Sequence, residues 1–255
     1  VSWIRSATTA SVVGAAAYAM LRQRPPGGPQ RWQRENYRGG HPSLLAGPAV
    51  TIAAVAGSPA PSVAGLTLAC GALGLYDDLA GDSHARGLRG HLVALRDGRV
   101  TTGMVKLTGL VCAGALTAAV ERRRPTTAVV DTLLVAGSAN LVNLFDLRPG
   151  RALKVVVLAG VPLAGRSAAA GAGVGAAVAL LPADLAEDAM IGDCGANALG
   201  ALLGWSLAHG LGRTGRIAAL SCVVGLTLAS ERVSFTDVIA RNRWLAAIDA
   251  AGRRQ

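Results

Sequence analysis

Apolar positions in this chain gather into long runs separated by short clusters of charge, and the runs recur almost from end to end. A helix crossing a hydrocarbon core needs roughly 20 apolar residues, with a range of about 17–25. Lipid offers the backbone no hydrogen-bonding partner, so each such run must be a helix. The pattern predicts nine spans, over residues 3–20, 44–57, 62–76, 103–120, 126–145, 152–165, 168–183, 195–211 and 217–230. The second, sixth and seventh are short. No long polar stretch remains for a separate soluble domain, so residues 1–255 read as one all-α, polytopic membrane domain. The first run also has the length of a signal peptide. It is followed by Arg22, Arg24, Pro25 and Pro26 rather than a small-residue cleavage site, and is read as a retained span.

Composition agrees with this class. Apolar residues make up 51% of the chain, charged residues 16%, and the mean hydropathy is +0.42. The 33 glycines, with abundant alanine, suit close helix packing in lipid. Placing loops 21–43, 77–102, 146–154, 184–194 and 231–255 on one side gives that side 18 of the 25 Lys and Arg residues, Lys106 included. Cytoplasmic loops carry such an excess, so the N-terminus is expected outside and the C-terminus inside. Of the 15 acids, only Glu121 and Asp131 fall away from that side, so any chemistry should face the cytoplasm. The net charge of +10 fits this bias and anionic membrane lipids as partners. With 4% aromatics and no soluble basic domain, nucleic acid is not an expected partner. Cys70, Cys112, Cys194 and Cys222 are scattered, without metal-ligand pairing, and read as small apolar residues.

Four acid-bearing segments end or begin apolar runs: RENYRGG (34–40), LYDDLAGD (75–82), NLVNLFD (140–146) and MIGDCG (190–195). Carboxylates at a membrane edge cost free energy unless something uses them, and a divalent cation holding phosphates is the simplest user. Asp77 and Asp78 are adjacent, so on a helix they point about 100° apart. One is free to meet a metal while the other faces a substrate. Solvated acids at a helix C-terminus are the alternative, which the helix dipole disfavours. Asn140, Asn143 and Asp146 share one helical stripe. The two amides call for a ligand or for hydrogen bonds to another helix. Asp193 lies between Gly192 and Gly195 at the start of a span, where free N–H groups suit phosphate and where an N-cap role is the alternative. Lys106, just inside an apolar run, marks either a function or a snorkelling end. His84 and His91 read as solvated loop residues.

In order, spacing and sidedness these segments resemble the polyprenyl-phosphate N-acetylhexosamine-1-phosphate transferase superfamily, which includes phospho-N-acetylmuramoyl-pentapeptide transferase and the polyprenyl-phosphate GlcNAc-1-phosphate transferases. The resemblance covers most of the chain. Asp77 and Asp78 match the family's Asp-Asp pair, Asn140, Asn143 and Asp146 its N-x-x-N-x-x-D motif, and Gly192, Asp193 and Gly195 its M-G-D-x-G segment. Arg38 to Gly40 resemble its basic, glycine-rich first cytoplasmic loop, and Lys106 falls where the family has a loop lysine. The resemblance implies magnesium-dependent transfer of a sugar 1-phosphate from a UDP-sugar to a membrane polyprenyl phosphate, with release of UMP. It implies Asp193 as the magnesium ligand, Asp77, Asp78 and Asp146 as catalytic, and Lys106, Asn140, Asn143 and Arg38 as substrate-binding. A bacterial plasma membrane is the implied location, cell-envelope glycan synthesis the setting, and a second copy of the chain, as a homodimer, is admitted as a partner.

The chain departs from the family where D-G-x-D-G would continue. Asp146 is followed by Leu147, Arg148, Pro149 and Gly150, and no histidine follows His209 to match the family's last cytoplasmic loop. Two other readings therefore stand beside the enzyme. One is a non-catalytic homologue in envelope assembly. The other is a transporter, whose paths also carry intramembrane polar groups, although the acids here lie at one edge and no internal repeat is seen.

Overall fold

A computed structural model describes residues 2–36, 38–80, 90, 94 and 96–253. His84 and His91 lie outside the described residues. Among those described, the regular structure is helical, and extended pairing is limited to the isolated bridges Gln33–Ser43 and Ser43–Ala189. The helices are α1 (Trp3–Gln23), α2 (Ala46–Gly57), α3 (Pro61–Ala80), α4 (Thr102–Val120), α5 (Pro125–Phe145), α6 (Arg151–Ala164), α7 (Ala168–Leu185), α8 (Gly192–Gly210), α9 (Arg213–Ser230), α10 (Phe235–Arg241) and α11 (Arg243–Ala250). Each expected run is a helix, and α7 continues to Leu185 through Pro182 near its end.

Among the described residues four helices, α3, α4, α5 and α7, are long and apolar enough to cross a membrane, and a fifth is reached if α9 and α10 count as one broken span. The break between α9 and α10 is a 99° bend. With 12 and 14 residues, α2 and α6 reach about 18 and 21 Å, short of a roughly 30 Å core. Large apolar side chains stand exposed along the outer helices, among them Val12, Leu116, Val129, Leu158 and Leu228. In water such a surface would be an association hazard, whereas against lipid it is solvated.

The centre of the bundle is α8, which packs on α2, α3, α5, α6 and α7, while α1 lies against α2 and α7, and α9 against α5. Small residues make this possible. A Cβ on Gly200 or Gly204 would stand 2.5 or 2.4 Å from a backbone carbonyl of α5. Gly171 and Gly175 play the same part toward α1, at 2.5 and 2.1 Å from Trp3 and Ala7 carbonyls. Both pairs are spaced four apart, so one helix ridge is cleared for a close crossing.

The polar residues sort to two ends. At one end Glu121 Oε1 accepts from Ser62 Oγ and Trp205 Nε1 (3.0 and 3.1 Å), and its Oε2 lies 2.8 Å from His209 Nε2. There buried Asp131 also pairs with Arg123 (2.7 Å) and Arg216 (3.5 Å). At the other end the 24–45 connection is stitched to the loop before α8, through Met190 N–H to the Ser43 carbonyl at 2.9 Å and Ser43 N–H to the Asp188 carbonyl at 3.2 Å. The acid-bearing segments meet there.

Candidate active site

Asp77 and Asp78 occupy the last turn of α3 and, being adjacent, point to different neighbours. Asp78 turns toward the start of α8. Its carboxylate accepts the N–H groups of Asp193 (3.0 Å) and Cys194 (2.9 Å). These are orphan donors of a helix first turn, so Asp78 caps α8 from a different helix. The crossing is tight, since a Cβ on Gly74 would meet the Asp193 carbonyl at 2.1 Å. Gly192 takes φ +56°, a conformation open to glycine, with the Asp78 carboxylate 2.8 Å from where its Cβ would be. Arg34 donates to the Asp78 carbonyl and so ties the first long connection to the end of α3.

Because Asp78 supplies the cap, the Asp193 side chain is free of that duty. It meets Lys106 of α4, whose ammonium also lies 2.7 Å from Asp77. Asp77 further accepts from Thr102, one turn before Lys106 on α4. Lys106 is only 7% exposed, so it does not snorkel; it is an internal cation joining α3 and α8. The Asp77 and Asp193 carboxylates are also within hydrogen-bonding reach of each other.

Asp146 closes α5 and accepts from the Gly192 N–H. Burial pushes its carboxyl well above the usual range, and the negative charges of Asp184, Asp193 and Asp78 push the same way. Asp184, at the end of α7, accepts the Gly150 N–H at 3.2 Å and so holds the connection that follows Asp146. Four carboxylates thus crowd around the first turn of α8, with Lys106 as the cation set among them.

Of these groups, Asp77, Lys106, Asp146 and Asp193 lie on the floor of a cavity of about 680 Å³. Asp77, Lys106, Asn140, Asn143, Asp146 and Asp193 line its polar part. Its remaining wall is largely apolar, from α4 (Leu107, Val111), α5 (Leu133, Leu144) and α9 (Val223, Val224, Leu228). Among the described residues neither Asn140 nor Asn143 has a hydrogen-bonding partner on another helix. Their amides face the cavity. On the far side of Asp146 and Leu147 a second cavity of about 260 Å³ opens toward Glu35, Asn36, Arg148 and Glu187. Asp146 therefore stands in the wall between two spaces, one flanked by apolar helices and one by polar connections.

Arg38 is placed differently from Lys106 and the acids. It pairs with Glu187 at 3.1 Å, with half its side chain exposed, and does not line the large cavity. Thr102 and Asp184 join the site without having been marked in the sequence, and Arg34 joins it from the marked segment 34–40. Thr102 had a readable signal, its position one turn before Lys106.

Among the described residues no three His, Cys, Asp or Glu side chains form a ready-made metal cage. The donors present nonetheless suit magnesium, which binds through one or two carboxylates plus substrate phosphates and keeps its remaining ligands as water. Asp193 and Asp77 are hard oxygen donors already gathered around a cation. No protein-family model matches the chain, and no curated protein matches it.

Proposed function

We propose that this protein is a membrane phosphoglycosyl transferase, moving a sugar 1-phosphate from a UDP-sugar to a polyprenyl phosphate. One observation carries the reading: a single cavity joins an acid, amide and lysine floor to an apolar wall shared by three membrane-edge helices. A lipid phosphate needs this combination, with its tail among α4, α5 and α9 and its headgroup on the polar floor. In the reaction an oxygen of the lipid phosphate attacks the sugar-bearing phosphorus of the donor. The bond from that phosphorus to the bridging oxygen breaks, and UMP leaves with the bridging oxygen.

This chain's residues do the positioning. Lys106 has three N–H donors and gives two to Asp77 and Asp193, so one remains for a phosphate oxygen. Asn140 and Asn143 offer neutral donors to the phosphates, and Asp77 orients the lipid phosphate. Asp193, with Asp77 or Asp146, would hold magnesium. That ion would supply neutralisation of the charge that builds on the phosphoryl oxygens. Asp78 is a positioning residue, since it acts through the first turn of α8.

The same reading places all nine helices α1 to α9 at membrane depth, with the N-terminus outside. The cavity floor then lies at the cytoplasmic face of a bacterial plasma membrane, in cell-envelope glycan synthesis. A non-catalytic assembly protein is the second reading, favoured by the altered 147–150 segment and by the full pairing of Asp77 and Asp193 with Lys106. The test is turnover by purified protein with a polyprenyl phosphate, magnesium and a panel of UDP-sugars, read as UMP release and lipid pyrophosphate-sugar mass. Activity lost in Asp193→Asn supports the transferase. No product from any donor, with wild type and variant alike, supports the assembly protein.

A further inference from the structure

The C-terminal helices α10 and α11 have one face bound and one face open. The bound face is tied to the segment that follows Asp146. The Arg151 guanidinium, 4% exposed, makes a two-pronged pair with Asp249 (2.8 and 2.9 Å) and donates to Thr236 at 3.0 Å. Lys154 donates to the carbonyls of Ile248, Asp249 and Ala251 at the end of α11 (3.0, 2.7 and 2.7 Å). Cations are favoured at a helix C-terminus. Arg253 reaches the Pro149 carbonyl at 2.9 Å, and Phe235 stacks on Phe145 with ring centres 4.8 Å apart. The tail is therefore a docked element, and its outer face has a fixed direction.

That outer face is apolar and basic. Trp244 is 68% exposed, Ile248 47%, Val238 46% and Leu245 43%. At about 100° per residue, Ile248 falls roughly 40° and Leu245 roughly 100° from Trp244, which makes one stripe, and Ala250 falls opposite it. Arg232, Arg241 and Arg243 are exposed along the same tail, and Arg243 lies over the Trp244 ring at 4.9 Å. Asp237 is the one exposed acid within α10 and α11. The 99° bend turns α10 across the axis of α9. If α9 crosses the membrane, α10 runs along its surface. The level is also set, because Glu231, directly after α9, lines the cavity with Asp77 and Asp193.

We propose that α10 and α11 are an interfacial anchor for an anionic lipid leaflet. Trp244, Leu245, Ile248 and Val238 enter the acyl boundary, and Arg232, Arg241 and Arg243 meet anionic headgroups. An amphipathic helix with a basic polar rim and a Trp-bearing apolar face is the physical form of such an anchor. Here the anchor is tied through Arg151 and Asp249 to the connection that carries Asp146, so the leaflet braces one wall of the site. The inference holds whether or not the cavity is catalytic.

The test uses the full chain in nanodiscs of phosphatidylcholine alone or mixed with phosphatidylglycerol. Exposed Cys112 and Cys222 are first replaced by Ser, while Cys70 and Cys194 are buried. A spin label is then placed at Ile248→Cys or Ala250→Cys, and collision with oxygen or with a water-soluble nickel complex is measured. The label at 248 is expected in the acyl boundary and that at 250 in water. Depth at 248 should increase with phosphatidylglycerol, and Arg241→Gln with Arg243→Gln should abolish that increase. A label at 248 in water in both lipids, or one broadened by a second label, overturns the proposal in favour of a protein partner or a second copy. Equal depth in both lipids, unchanged by the Arg variants, overturns the anionic recognition.

Discussion

Replacing Lys106 with Met tests whether the buried ammonium holds three helices in register. The variant keeps the unbranched stem of the side chain, one heavy atom shorter, and removes its charge. Two unit charges at the 2.7 Å Lys106–Asp77 separation attract by about 6 kcal/mol at an effective dielectric near 20. Desolvation offsets part of this. Removing one partner of a buried pair nevertheless costs about 3–5 kcal/mol, because the other charge is left uncompensated. Here two carboxylates are orphaned, Asp77 at 15% and Asp193 at 25% side-chain exposure. For a chain of this size each kcal/mol moves the melting point by about 2–4 °C, so Lys106→Met should melt roughly 10 °C lower. A thiol-reactive dye reads the transition through buried Cys70 and Cys194 once exposed Cys112 and Cys222 are replaced by Ser. Adding Asp77→Asn and Asp193→Asn should recover most of the loss, since no charge is then unpaired. Unchanged melting of Lys106→Met, or no recovery in the triple variant, would refute the pairing.

The adjacent aspartates should separate in their effects. Asp78→Ala removes an acceptor of two N–H groups and should cost about 1–2 kcal/mol of stability by thermal melting. Asp77→Asn should leave melting nearer to wild type and reduce turnover, and the reverse order would sink the division of roles. Gly74→Ala places a methyl 2.1 Å from the Asp193 carbonyl, so it should displace the start of α8 and weaken cation binding, whereas Gly65→Ala, in open space on the same helix, should not. Burial alone would raise the Asp249 carboxyl, but Arg151 and Arg253 hold it below the usual range. Its contribution is thus complete above the unfolded value of about 3.9 and lost only as pH falls through the lower folded value. Release of the tail, read as increased mobility of a spin label at Ile248→Cys, should therefore need acid below about pH 4. Asp249→Asn should show the mobile label already at neutral pH, and a tail released at pH 6 in wild type would contradict the pairing.

The helices were legible because charge and proline punctuate apolar runs along the whole chain. Their depth in a membrane was less so: α2 and α6 are too short to settle by hydropathy, and α8 carries Asp193 and His209 in its end turns and Asn197 in its buried part. The tail helices were missed because each is short and of mixed composition. Their start signals, Ser234 and Asn242 as caps, were nonetheless present. At the site, Asp77, Asp78, Asn140, Asn143, Asp146 and Asp193 were each marked by position at the edge of an apolar run. What the sequence left open was which partner each would meet. Asp78 could not be told from Asp77, since the choice depends on how α8 crosses α3 at Gly74. Lys106 was ambiguous between snorkelling and function because its partners come from α3 and α8, neither near it in sequence. The docking of Arg151 on Asp249 joins residues 98 apart and leaves no local trace.

The central claim is that the floor of the cavity gathers a divalent cation with phosphates. Manganese stands in for magnesium and is detected by electron paramagnetic resonance on purified protein, with a UDP-sugar or a pyrophosphate analogue present. The account predicts that wild type takes up manganese when the phosphate ligand is supplied, and that Asp193→Asn, equally well folded by melting, does not. Wild type and variant that both leave manganese free across the whole ligand panel would contradict it.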